Sequence, residues 1–186
     1  MENKYYAFDS KGLLTTLSAT PKLFKEAIQK NDWSENSDRN IIPRLMFGEY
    51  PQDIQFPVEF IVQDGRLLRN ILEIRYPSAF LVSRHLADIF KSNDITGWKS
   101  YDICIEKKNG EQIDGFCGFS VIGRNQRINN NSEAIPDFFR LHDEWLWIIC
   151  SQKVVDVLCR NKIMDFTTEL ITKDNHHLFD PIVFPK

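Results

Sequence analysis

The chain has no apolar run approaching the roughly 18–20 residues that a membrane-spanning helix needs. Its opening, MENKYYAFDSKG, has no apolar stretch of the kind a secretory leader carries. A cytoplasmic setting and no membrane partner are expected. Excess charge of one sign is also missing, since the net charge is −3 and the pI is near 5.8. Non-specific nucleic-acid binding needs a basic footprint that this balance does not supply, so no nucleic-acid partner is expected. The four cysteines, Cys104, Cys117, Cys150 and Cys159, include no CxxC pair. They read as reduced, mostly buried thiols. In a regular 99–122 hairpin Cys104 and Cys117 would be diagonal neighbours, a placing that does not favour a disulfide.

Catalytic and ligand motifs are equally scarce. The four histidines show no HExxH or zinc-finger spacing. His85 lies early on a helix without a second ligand at i+4, His142 lies in a turn, and His176-His177 would point to opposite faces of a strand. No GxSxG, GxxxxGK[ST] or GxGxxG occurs. Asp88 and Asp156 occupy matching helix positions and read as structural carboxylates rather than a converging acid–base pair. No catalytic, metal-binding or cofactor-binding residue is assigned, and no cofactor is expected. Two other readings stay open: an enzyme built on Cys117 or a histidine, and a small-ligand sensor with an aromatic pocket between the repeats.

What the chain does contain is a repeat. Residues 80–98, FLVSRHLADIFKSNDITGW, align without a gap on residues 148–166, IICSQKVVDVLCRNKIMDF. Ser83/Ser151, Asp88/Asp156, Asn93/Asn161 and Ile95/Ile163 are identical, and Leu86/Val154, Ile89/Val157, Phe90/Leu158 and Trp98/Phe166 keep apolar character. Each copy starts with an apolar strand end and a serine able to cap a helix. Apolar residues then recur at i, i+3 and i+4, which makes one buried helix face. Asn93 and Asn161 sit where the left-handed helix terminus is expected. The unit is strand–helix–strand, over about 80–105 and 148–172.

Elsewhere, Thr20-Pro21 predicts a capped helix over about 21–30, with Leu23, Phe24, Ala27 and Ile28 buried. Asn31–Asn40 reads as a loop with Trp33 as a possible anchor. Asp64-Gly65 predicts a hairpin over 56–75, and Asn109-Gly110 a second over 99–122 with a bulge near Gly115 or Gly118. A third hairpin is expected around 142–144. Residues 124–135, centred on Asn129-Asn130-Asn131, read as a loop, and Ile171–Lys186 as an irregular tail. The mixture predicts an α+β fold with mainly antiparallel sheet and a few short helices, built around the two related units. A single domain over 1–186, in one body or in two lobes, is expected, with a helix-and-hairpin region over 1–75 and the duplicated region over 76–186.

Two stretches carry a family likeness. One is LVSRHLADIFKSNDITGWKSYDICI with GEQIDGFCGFSVIGR, through Ser83, Leu86, Ile89, Phe90, Thr96, Gly97 and Trp98. The other is DFFRLHDEWLWIICSQKVVDVLCRNKIMDF, through Phe138, Phe139, Ser151, Val154, Val157, Leu158 and Phe166. Together, over about 72–170, they resemble a bacterial family first described as a domain of unknown function and grouped with predicted immunity proteins of polymorphic toxin systems. The second copy departs from the pattern, since Met164-Asp165 stands where the first has Thr96-Gly97. The resemblance implies a non-enzymatic protein that binds and neutralises a cognate toxin, and it supplies no catalytic residue. From the residues themselves, the candidates for partner binding are Arg124 and Arg127 in the loop and Trp145 and Trp147 on one strand face.

Overall fold

The computed structural model of the chain describes residues 4–12, 15–32, 40–48, 54–74, 79–125, 135–141 and 147–172. In chain order its elements are β1 (Tyr5–Ser10), β2 (Ser18–Pro21), α1 (Lys22–Gln29), α2 (Ile41–Phe47), β3 (Val58–Asp64), β4 (Ile71–Glu73), β5 (Phe80–Ser83), α3 (Arg84–Ser92), β6 (Trp98–Tyr101) and β7 (Ile103–Glu106). There follow β8 (Gln112–Ile113), β9 (Phe116–Val121), β10 (Arg124–Asn125), β11 (Phe138–Leu141), β12 (Ile148–Ser151), α4 (Gln152–Arg160) and β13 (Phe166–Leu170). The fold is α+β with mostly antiparallel pairing. Among the described residues the strands form a five-stranded sheet, β10-β11-β12-β1-β13, and an eight-stranded sheet, β6-β9-β5-β4-β2-β3-β7-β8.

The repeat is larger than its sequence alignment. In each unit the two strands that flank the helix are parallel and separated by an inserted antiparallel strand: β9 lies between β5 and β6, and β1 between β12 and β13. The registers coincide. Phe80 pairs with Phe119 as Ile148 pairs with Phe8, and Trp98 pairs with Val121 as Phe166 pairs with Ser10. A fourth strand matches too, because β4 sets Ile71 against Val82 as β11 sets Phe138 against Cys150. The order along the chain differs. The inserted strand follows the helix in the first unit and opens the chain in the second.

The helix ends follow one plan. In both helices the residue two beyond the last turn donates its N–H back to close a Schellman-type cap, Ile95 to the Phe90 carbonyl and Ile163 to the Leu158 carbonyl. The left-handed residue is one later than the sequence predicts: Asp94 has φ 50° and Lys162 φ 57°. The Asn93 and Asn161 amides instead donate to the carbonyls of Ile89 and Val157. At the other end Ser83 Oγ accepts the Leu86 N–H, as expected. Ser151 makes no such cap; its hydroxyl is donated to the Asp137 carboxylate.

Helices α3 and α4 share one core with the inner faces of both sheets. Leu86, Ile89 and Phe90 meet Val154, Val157 and Leu158 there, around Phe8, Phe80, Phe119 and Phe138. Its aromatic stacking also repeats: Phe8 lies over Phe166 at 5.7 Å, and Phe119 over Trp98 at 5.6 Å. Between the units run two reciprocal contacts. Asn70, before β4, donates its backbone and side-chain N–H groups to Asp165, in the turn after α4. Asp137, before β11, accepts the N–H and hydroxyl of Thr96, in the turn after α3. Each of the two residues also receives the hydroxyl of its own unit's N-cap serine.

The outer face of the first unit is filled from within the chain. Strands β6 and β7 are separated only by Asp102, yet stand at or near opposite ends of the eight-stranded order. The sheet must therefore curl until its ends meet at Asp102, whose carbonyl accepts the Val58 N–H and so extends the parallel β3–β7 ladder. Inside lie Leu72, Leu81, Tyr101, Ile105 and Phe116, capped by Ile41, Ile42, Leu45 and Met46 of α2. Sequence reading missed α2, whose Pro43 disguises a helix that ends on Gly48 in the left-handed region.

Other expectations are corrected. The 56–75 hairpin does not form, because β2 inserts between β3 and β4 and the chain after Gly65 is held by Thr15. Thr20 belongs to β2 rather than capping α1, whose N-cap is Pro21 without a side-chain bond. On that helix only Ala27 is buried, while Leu23 and Ile28 are 40% and 46% exposed. The second hairpin closes as expected at Asn109-Gly110. Its register slips by one residue between the pairs Ile105↔Ile113 and Tyr101↔Gly118, across Gly115 with φ 85°. That slip sends Ile113 and Phe116 to the curled interior and Cys117 and Phe119 to the shared core. All four cysteines are free, and Cys159 is exposed rather than buried.

Two expected outcomes follow from this packing. A Cβ at Gly118 would overlap the Tyr101 ring, so Gly118→Val costs about 1–3 kcal/mol of overpacking, read as a lower urea midpoint; an unchanged midpoint contradicts the packing described. Asp137 and Asp165 are held below their ordinary carboxylate value. Burial alone would raise them, but hydrogen bonds from Ser151, the Thr96 amide and Lys153, and from Asn70 and Arg69, outweigh it. Their stabilisation is therefore complete above the ordinary value of 3.8 and is lost as pH falls through the lower folded values. Asp137→Asn and Asp165→Asn lower stability at neutral pH and shrink the gap to wild type in acid; a gap that persists in acid rules out the carboxylate's role.

Candidate functional site

The second unit presents a different outer face. Alternation along β12 puts Trp147 and Ile149 outward, and Ile149 packs with Tyr5, Ala7, Phe139 and Ile171. The ladder sets Ile149 beside Ala7 and Ala7 beside Glu169, and one step along it sets Asp9 beside Thr167. Extending the β1–β12 register by one residue places Trp147 alongside Asp9. Ala7 is the smallest side chain in this field, so the surface dips over it. The result is an open groove of about 330 Å³ lined by Ala7, Phe8 and Asp9 of β1, Thr167, Thr168 and Glu169 of β13, and Trp147.

The first unit shows why the groove is there. The counterpart of Ala7 is Gly118, and the counterpart of Glu169 is Tyr101, whose ring fills the space over Gly118. In the second unit the residue at that position is Glu169, which carries no ring. Beside the groove runs β13, the edge of its sheet, with Thr167, Thr168, Glu169 and Leu170 all exposed. The groove is acidic. Partial enclosure pushes the Asp9 carboxyl up from its usual value, the Ser10 N–H opposes this, and the charge of Glu73 adds to it.

The sequence-predicted residues are placed as follows. Trp147 lines the groove, half-buried against the outer-face cluster. Arg124 is not on that surface. Its guanidinium donates to the carbonyls of Val121, Gly123 and Phe47 and lies 4.8 Å from the centre of the Phe47 ring. Arg140, paired with it across β10 and β11, lies over the same ring at 5.6 Å. Burial, with the Arg124 charge second, pulls Arg140 down to about 9. Arg127, Trp145, His142, His176 and His177 lie outside the described residues, as do Trp33, the centre of the 124–135 loop and most of the tail. Sequence reading missed Ala7, Asp9, Thr168 and Glu169. The available signal was the likeness of YYAFDSKG at 5–12 to FCGFSVIG at 116–123, hidden by the changed order.

The residues weighed for catalysis are dispersed. Burial raises the Cys117 thiol, and it raises that of Cys150 strongly. A nucleophilic cysteine needs the opposite shift. His85, Asp88 and Asp156 sit exposed on the outer sides of their helices. Among the described residues no group of three or more His, Cys, Asp or Glu is placed to hold a metal ion, and no helix is long and apolar enough to cross a membrane. No family model matches the chain, and no curated protein matches it.

Replacing Asp9 by Asn tests the groove's electrostatics. A raised folded value means that the ionised form penalises the fold, a penalty relieved as pH falls through that value and gone below 3.8. Asp9→Asn therefore raises the urea midpoint at neutral pH and leaves it unchanged in acid. A midpoint lowered at neutral pH would mean that the carboxylate is paired.

Proposed function

We propose that the chain is a non-enzymatic, cytoplasmic binding protein of the immunity type, which binds a cognate toxin and neutralises it by steric cover. The observation that carries this reading is the contrast between the two units. One fills its outer face with a curled sheet and α2. Among the described residues the other leaves a groove with Asp9 and Glu169 in its lining, beside the exposed side chains of β13. Exposed edges are normally blunted by proline, lysine, a bulge or a covering segment, and Phe166–Leu170 contains neither proline nor lysine. The backbone groups of Phe166 and Thr168, which lie off the β1 ladder, suit pairing with a partner's backbone. The family resemblance around Ser83 and Ser151 points to the same class, and neither nucleic acid nor membrane is part of the reading. An interface of this kind buries about 1,200–2,000 Å² in all.

The enzyme reading that rests on Cys117 is weakened by the burial that raises its thiol. The test is purification of the tagged full chain from its host, followed by expression of any stoichiometric partner with and without the chain. The expected result is one partner that arrests growth alone and not when the chain is co-expressed. A partner whose toxicity is unaffected, or no partner from a host that expresses the candidate toxin, overturns the proposal.

A further inference from the structure

The turn that closes β7 and β8 carries a reactive pair. Asn109 is the only asparagine of the chain followed by glycine, and both residues are exposed. The Gly110 N–H donates to the Lys107 carbonyl at 3.0 Å. Gly110 itself takes φ 86°, in the left-handed region, where a side chain would strain the backbone. The turn therefore needs glycine directly after Asn109. Nothing lies within 4 Å of where a Cβ at Gly110 would stand, so the surroundings of that residue are open.

The Asn109 carboxamide is held against the Gly110 peptide. Its Oδ1 accepts the Glu111 N–H at 3.1 Å, which closes a ring through the Gly110 backbone. Hydrogen bonds from Lys107, and then from Asn109, hold the Glu111 carboxyl below its usual value, so the same residue also orients the carboxamide. Lys107 Nζ lies 2.6 Å from that carboxylate and clamps the turn from the other arm. An N–H aimed at a carbonyl oxygen stabilises the negative charge that develops there when a nucleophile adds to the carbon. The nucleophile within reach is the Gly110 nitrogen, whose bond to Asn109 Cγ would close a cyclic imide.

We propose that Asn109 is a site of backbone-assisted deamidation in the folded protein, with the Glu111 N–H stabilising the oxyanion. The Gly110 nitrogen gives up its proton and bonds to Cγ of Asn109. The Cγ–Nδ2 bond breaks, and the amide nitrogen leaves as ammonia with that proton. Water then opens the imide at one of its two carbonyls. Opening at Cγ restores the original main chain and leaves a side-chain carboxylate. Opening at the backbone carbonyl routes the main chain through the former side chain and so lengthens it by a methylene. Both products set a new negative charge beside Glu111. The second also distorts the turn that pairs Ile105 with Ile113 in the curled interior. This site is independent of the binding-protein reading.

The test is to age the folded full chain in mildly alkaline buffer and follow every asparagine by proteolysis and mass spectrometry, with the isomers separated by chromatography. Asn109 is expected to convert at least tenfold faster than any other asparagine and to give both isomers. The aged chain should show a lower urea midpoint than the fresh one, and Asn109→Gln should abolish both the conversion and that loss. Glu111→Pro removes the N–H that faces Oδ1. It should slow the conversion at least threefold relative to Glu111→Ala, which keeps that N–H. The wild-type ranking needs no variant and decides the matter if Glu111→Pro fails to fold. Asn109 intact in the folded chain, converting no faster than the other asparagines, or converting at equal rates in Glu111→Pro and Glu111→Ala overturns the proposal.

Discussion

Asn70 and Asp137 stand at equivalent points, one residue before the fourth strand of each unit, and the architecture depends on what they reach. Each takes the hydroxyl of the serine that starts its own unit's helix, and each bonds to the turn behind the other unit's helix. Strand start, helix start and the opposite unit are thereby fixed together. The two contacts differ in chemistry. On one side the carboxylate belongs to the strand, as Asp137, and the turn supplies Thr96. On the other it belongs to the turn, as Asp165, and the strand supplies Asn70. Each crossing carries one aspartate and neutral donors, so neither sets two like charges against each other. Arg69 and Lys153 add cations at the two aspartates.

With the units locked in this way, both helices face inward and one aromatic core serves the whole molecule. Each sheet then has a second face that the shared core cannot cover. In the first unit the residues between β6 and β9, with β2, β3 and α2, build a second core on that face. In the second unit the described residues supply a smaller cluster and leave a dip beside an exposed edge. The functional proposal is a consequence of this asymmetry: similar scaffolds carry their surplus face in different ways, and among the described residues the second covers less of it than the first.

The amino-acid sequence displayed the units through residues whose chemistry is local. Ser83, Asn93, Asn161 and the i, i+3, i+4 apolar faces are legible because capping and amphipathicity depend on neighbours a few residues away. Strand pairing over long separations was not. Asp64-Gly65 has the composition of a hairpin turn, but the partner of β3 lies some forty residues earlier, in β2. The match of β1 to β9 escaped because the order along the chain is changed, and that of β4 to β11 because few side chains are shared. Asp165 appeared only as a departure from the repeat, and it is one of the locking residues. For the groove, Trp147 was legible as an aromatic on a strand face. Ala7 and Asp9 were not, since nothing marks them until β1 is placed between β12 and β13. Arg124 looked like a loop charge because three backbone carbonyls and the Phe47 ring cannot be inferred from its neighbours.

The central claim is that the two units, locked through Asp137 and Asp165, open as one body, while the N–H groups of Phe166 and Thr168 lie outside the β1 ladder. Native-state amide hydrogen exchange of the full chain tests it most directly. The account predicts a common opening free energy for the core amides of β5 and β9 and of β12 and β1, with the Phe166 and Thr168 amides exchanging far faster than that of Glu169. Separate opening energies for the two pairs, or equal protection along β13, would contradict it.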